Sequence, residues 1–133
     1  PPTHEDFDNV MHTNVLGAMQ AISTIAPMVE AASGTFGFVS SGMGSIAETD
    51  RSYGWLYRAS KAALNMAVKA AALDYPQATF IALSPGWVKT DMGGQSAPLE
   101  AQESVHGMLQ VLEHATRADS GTFKHYSGRE LPW

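Results

Sequence analysis

Tyr57 and Lys61 are four residues apart, a spacing that puts both side chains on one face of a helix. A phenol titrates near 10 and is a slow proton donor at neutral pH. An ammonium one turn away favours the ionised phenol and makes it a usable acid–base group. Four tyrosines and as many lysines produce this spacing by chance in roughly one such chain in ten, so the pair counts only in context. That context has three further parts. VSSGMGS (39–45) carries Ser41 at the end of an apolar run. TNVLG (13–17) places Asn14 in mid-helix, where an amide is not needed for helix formation. SPGWVKTDM (84–92) leaves a second apolar run through Pro85-Gly86.

The elements that must position these groups are readable from periodicity. Thr3 with Asp6 forms a capping box, and Phe7, Val10, Met11, Asn14, Met19, Ile22, Ile25 and Val29 recur at three- and four-residue steps. This predicts a helix over 3–32, with Pro27 as the expected kink. TFGFVSS (35–41) is short, apolar and β-prone, which predicts a buried strand. A polar loop covers 42–53, and an Ala-rich helix with Tyr57 and Lys61 covers 54–75, ending before Pro76. TFIAL (79–83) is a second buried strand, 92–98 a Gly-rich loop, 100–115 a third helix and 121–125 a last strand. Nearly continuous apolar strands joined by helices predict one α/β domain over 1–133: a parallel sheet of about three strands with helices on both faces. Ser41 and Pro85 then fall at the carboxyl edge of that sheet, where open α/β sheets bind ligands.

Composition narrows the function classes. The chain has 133 residues, a 44% apolar share and a net charge of -5. No basic cluster tracks a phosphate backbone, so nucleic acid is not an expected partner. Every apolar stretch is broken by Gly, Ser, Gln or Thr, so no membrane span is expected. With no cysteine, disulfides, thiolate metal sites and cysteine nucleophiles are excluded, which is compatible with a reducing cytosol. The first residue is Pro1 rather than Met, so processing, truncation and missing upstream residues all stay open.

The motifs NxxG, SSxxGS, YxxSK and PGxVxT, in this order, resemble the short-chain dehydrogenase/reductase family. The wording SSGMGSI, YRASKAALNM, PGWVKTDMGG and GRELPW is similar to its C-factor and carbonyl-reductase-like branch. Ser41 and Tyr57 are 16 apart, slightly more than is usual there, and the extra residues fall in the loop ETDRS (48–52). The resemblance implies the carboxyl-terminal half of a Rossmann-type doubly wound sheet. It also implies an NAD(P)-dependent oxidoreductase acting on a small carbonyl or alcohol. Tyr57 would protonate the carbonyl oxygen. Lys61 would assist Tyr57 and hydrogen-bond the nicotinamide ribose. Ser41 would polarise the substrate carbonyl, and Asn14 would hold a water linking Lys61 to solvent. Pro85, Gly86 and Val88 would border the nicotinamide, with the Thr90 hydroxyl near its amide or pyrophosphate. The family's TGxxxGxG turn and NNAG segment are absent from the sequence, and with them the residue that chooses NAD or NADP. Gly42 and Gly44 lead into a polar loop and do not replace that turn. Weak NAD(P) binding by these 133 residues alone is therefore the expectation, with the strand from Thr35 as an uncovered edge.

Other readings are less well supported. No GxSxG flanks Ser41, as a serine hydrolase elbow requires, and His4, His12, His106, His114 and His125 show no triad spacing. His106 and His114 read as a solvated helix face, so no metal is expected. Met19, Met28, Met66 and Met108 read as core filler. Trp87 suits a core or a substrate wall equally, and Trp133 either packs on the domain or reaches a partner subunit. A non-catalytic dimerising or signalling fragment is the main alternative. In the family, helices equivalent to 3–32 and 54–75 build dimers and tetramers, and their Ala-rich faces permit close packing.

Overall fold

A computed structural model describes every residue from Pro1 to Trp133. The elements are α1 (His4–Met11), α2 (Gly17–Ala31), β1 (Thr35–Val39), α3 (Trp55–Asp74), β2 (Thr79–Ser84), α4 (Ala101–His114) and β3 (Thr122–His125). The Thr3 hydroxyl accepts from the Asp6 N–H at 3.1 Å, and the Asp6 carboxylate reaches back to the Thr3 N–H, so the capping box forms.

The helix expected over 3–32 is present but not uniformly α-helical. His12–Leu16 is a π-helical turn in which the Gly17 N–H bonds to the His12 carbonyl. Pro27 lies inside α2 without ending it. A π turn shifts the phase of the following side chains by one residue, a change that a pattern of mixed three- and four-residue steps absorbs, so periodicity did not locate it. Three of the methionines expected as core filler reach solvent. Met19, Met28 and Met66 are 48%, 63% and 67% exposed; Met28 and Met66 lie on helix faces opposite the buried Ala26, Leu64 and Val68, whereas Met19 shares the face of Ile22 and Ala26.

The three strands form one parallel sheet in the order β1-β2-β3. Thr35 pairs with Thr79 and Val39 with Leu83, while Ile81 pairs with Thr122 and Ser84 with His125. β2 is buried along its whole length, as a central parallel strand covered on both faces must be. On one face, Phe36, Phe38, Phe80, Ala82 and Phe123 pack beneath Ile22 and Ala26 of α2 and Leu64 and Val68 of α3. Phe80 has Phe36, Phe38 and Tyr75 within 5.6–5.7 Å of its ring centre. Burying each such side chain contributes about 1.5–3 kcal/mol. On the opposite face, Leu112 of α4 closes over Gly37, where a Cβ would lie 2.9 Å from its methyl group.

The two sheet edges differ. β1 has β2 as its one neighbour, leaving the other side open. The outer side of β3 is covered by the chain end, through a Lys124–Glu130 bridge and a 2.7 Å bond from the Leu131 N–H to the Phe123 carbonyl. Trp133 then stacks on Phe123 at 5.6 Å, so it packs on the domain.

Candidate active site

α3 begins at Gly54, whose φ of 77° is the left-handed conformation glycine tolerates. The helix carries Tyr57 and Lys61 one turn apart, with the Lys61 ammonium 5.7 Å from the centre of the Tyr57 ring. The same ammonium donates to the Val39 carbonyl at 3.3 Å, so it reaches from α3 to the last residue of β1. Burial among these elements pushes the Lys61 ammonium below its ordinary titration range.

Ser41 lies two residues past β1 and caps a single 3₁₀ turn, Gly42–Gly44, with its hydroxyl accepting from the Met43 N–H at 3.1 Å. The Gly42 N–H donates to Ser84 Oγ at 3.1 Å, joining the ends of β1 and β2. Gly44 packs flat on α3, and a Cβ there would lie 2.9 Å from the Lys61 carbonyl carbon. The chain end supports the same loop. Ser45 Oγ donates to the Pro132 carbonyl at 2.8 Å, and the Ile46 N–H donates to the Trp133 carbonyl.

Asn14 sits in the π turn. Its amide donates to Ser60 Oγ at 3.1 Å, and the fully buried Ser60 donates to the Tyr57 carbonyl at 2.8 Å. Asn14, Tyr57 and Lys61 are thus tied to one stretch of α3, and Lys61 reaches the strand end that leads to Ser41. Ser60 and Ser84 complete this frame. Ser60 stands within the YxxSK motif, whereas nothing in the sequence singles out Ser84 beyond its place before Pro85.

Pro85 and Gly86 follow β2 directly. Gly86 has φ of 78° and no room for a Cβ, which would meet the Tyr126 ring at 2.9 Å. Val88 bridges to Leu99, the Thr90 hydroxyl accepts from the Gly93 N–H at 3.0 Å, and Trp87 donates to the Gly93 carbonyl at 2.8 Å while staying 58% exposed. Trp87 is therefore not a core residue.

The donor set suits the nicotinamide–ribose part of a dinucleotide. Lys61 makes one long bond and keeps hydrogens for ribose hydroxyls, and the Thr90 hydroxyl keeps its own hydrogen to donate. The 3₁₀ turn after β1 has three residues and opens no longer helix, so it offers no pyrophosphate cradle. No group of three or more His, Asp or Glu side chains could hold a metal ion, and no helix is long and apolar enough to cross a membrane.

A family model described as short chain dehydrogenase matches residues 2–101. The C-signal protein of Myxococcus xanthus is 40% identical over 133 residues, covering 98% of this chain and 80% of its own length. Two solved structures superpose with a TM-score of 0.90. The carbonyl reductase Sniffer of D. melanogaster is 32% identical, and an NADPH-bound carbonyl reductase from chicken fatty liver is 34% identical. This chain spans 59% of the length of each.

Proposed function

This chain belongs to the short chain dehydrogenase family, and from that premise we propose that it carries the proton-transfer and nicotinamide-facing part of an NAD(P)-dependent carbonyl reductase. The observation that carries this reading is the Tyr57–Lys61 pair. Its ammonium stands 5.7 Å from the phenol ring and 3.3 Å from the carbonyl of the strand end before Ser41.

The chemistry that NAD(P)H supplies when bound is hydride donation to the carbonyl carbon. Everything else falls to the chain. Ser41 donates its hydroxyl hydrogen to the carbonyl oxygen and orients it. Tyr57 gives its phenolic proton to that oxygen as negative charge develops there. The Lys61 ammonium stabilises the charge left on the phenol oxygen, and it does so strongly because it is partly withdrawn from water. Asn14 steadies the Tyr57 turn through Ser60, and proton supply to Lys61 passes on the Asn14 side. Lys61 and Thr90 would hold the ribose and carboxamide ends of the cofactor, with Pro85, Gly86 and the Val88 backbone against the nicotinamide. Alcohol oxidation uses the same groups in reverse. A cytosolic setting is part of this reading.

The test is turnover of NADPH with a panel of aldehydes and quinones in the protein that carries these residues. Tyr57→Phe is expected to lower kcat by about 10²–10⁴ with folding unchanged. Turnover at the parent rate in Tyr57→Phe removes Tyr57 as the acid.

A second reading has a specific support. α2 and α3 expose the apolar side chains of Met28, Met66 and Leu73 at 63%, 67% and 83%, which self-association would cover. In this reading the chain is a dimerising module with a signalling role, as the name of its Myxococcus relative invites. An intact dimer without turnover favours it.

A further inference from the structure

α3 carries a third polar side chain in line with Tyr57 and Lys61. Asn65 follows them by eight and four residues, so the three form one stripe along the helix. Tyr57 and Lys61 are half-buried, whereas Asn65 is 2% exposed. Its Oδ1 accepts a 2.6 Å hydrogen bond from Ser40 Oγ, and Ser40 is itself 3% exposed and directly precedes Ser41. Its Nδ2 has no partner and faces Gly44, where a Cβ would lie 3.0 Å away.

A half-satisfied buried amide is costly, and a leucine at this position would avoid the unpaired donor. What the amide supplies in exchange is a fixed point. Two side-chain hydrogen bonds join α3 to residues 39–46. One is the 3.3 Å contact of Lys61 with Val39, and the other is the 2.6 Å bond of Asn65 with Ser40. The first is long and solvent-facing, and it is made by a reacting group. The second is buried, shorter and independent of the reacting groups.

We propose that Asn65 is a positioning residue: by holding the Ser40 hydroxyl it sets the depth at which Ser41 and the following turn meet the Tyr57–Lys61 face of α3. This rests on reading Ser41, Tyr57 and Lys61 as the reacting groups. Ser40 is the other half of the device. Gly44 is its complement, since the turn can press on α3 because no side chain intervenes.

The experiment compares Asn65→Leu, Ser40→Ala and the double variant. It uses urea unfolding, the NMR titration of the Lys61 ammonium, the amide shifts of residues 40–44, and kcat and KM separately. Both single variants are expected to fold. Each lowers kcat by about tenfold to a hundredfold, the scale of a displacement near 1 Å, with KM within about threefold. Amides 40–44 shift, and Lys61 titrates closer to the ordinary lysine range as the turn recedes. The double variant is no worse than the poorer single, because both changes remove one bond. Should Asn65→Leu not fold, Ser40→Ala leaves the helix untouched and supplies the same readouts. A folded Ser40→Ala with parental kcat and an unchanged Lys61 titration overturns the proposal. Shifts at 40–44 and Lys61 that are equal in single and double variants, in a protein with no turnover at all, support the clamp and remove the oxidoreductase reading instead.

Discussion

Gly42→Ala and Gly44→Ala put the same methyl group into one loop, two residues apart, and they should behave differently. At position 44 the new Cβ would lie 2.9 Å from the Lys61 carbonyl carbon, 3.0 Å from Lys61 Cβ and 3.0 Å from Asn65 Nδ2. Carbon atoms in contact settle at about 3.5–4.0 Å, so the loop has to retreat by roughly 0.5–1 Å. The two Lys61 atoms belong to the helix framework and cannot swing aside. Overpacking of this kind costs about 1–3 kcal/mol, and the stiffer unfolded chain of an alanine variant offsets about 0.4–1 of it. The net expectation is a loss of about 0–2.6 kcal/mol, centred near 1.3. At position 42 the nearest atom is Ser84 Oγ at 3.6 Å, an ordinary contact, and neither glycine has a positive φ. Gly42→Ala should therefore be neutral or gain up to about 1 kcal/mol. With a urea slope of about 1.5 kcal/mol per molar, the Gly44→Ala midpoint falls by roughly 1 M, and the Gly42→Ala midpoint holds or rises. Equal midpoints for the two variants would refute the claim that close packing on α3 is what requires glycine at 44.

Two further predictions concern Lys61 and the chain end. Lys61 titrates below its ordinary 10.5 in the folded chain because burial disfavours its charge. The unfolded chain binds that proton more tightly, so the penalty is fully present below the folded pKa and is relieved as pH rises toward 10.5. Lys61→Met should raise the urea midpoint near pH 7.5 and flatten its rise up to about pH 10.5, with unfolding curves at both pH values as the check. A parental pH slope in Lys61→Met contradicts the assignment. Trp133 stacks on Phe123 at 5.6 Å and lies 5.8 Å beneath the Lys69 ammonium, and its carbonyl holds the Ile46 N–H. Because the ring is half-buried, Trp133→Ala should cost about 2–3 kcal/mol rather than the 3–5 of a fully buried aromatic. A loss below about 0.5 kcal/mol by urea unfolding would show that the chain end does not hold the Ser45 loop.

Much of the fold was written locally. The expected helices over 54–75 and 100–115 appear as Trp55–Asp74 and Ala101–His114, and the three expected strands appear at Thr35–Val39, Thr79–Ser84 and Thr122–His125. Short apolar runs without alternation, rich in β-branched and aromatic residues and separated by helices, suit parallel strands covered on both faces. The Tyr57–Lys61 pairing was legible for a similar reason, since four residues on a helix return a side chain to the same face. The exposed methionines were not legible, because a helical period reports that a face is apolar but not whether the sheet or solvent lies against it.

The sequence alone therefore determined which residues lie one helical turn apart, which runs become strands, and at which end of the sheet Ser41 and Pro85 emerge. These depend on backbone periods of 3.6 and 2 and on the direction of the chain. Tertiary structure alone decided that Asn14 meets Ser60 across 46 positions, that Ser40 meets Asn65 across 25, and that Ser45 meets Pro132 across 87. Hydrogen bonds between such distant positions follow no repeat. They exist because packed helices and strands leave a few buried polar atoms facing one another, and a buried donor takes the acceptor that the fold brings within reach.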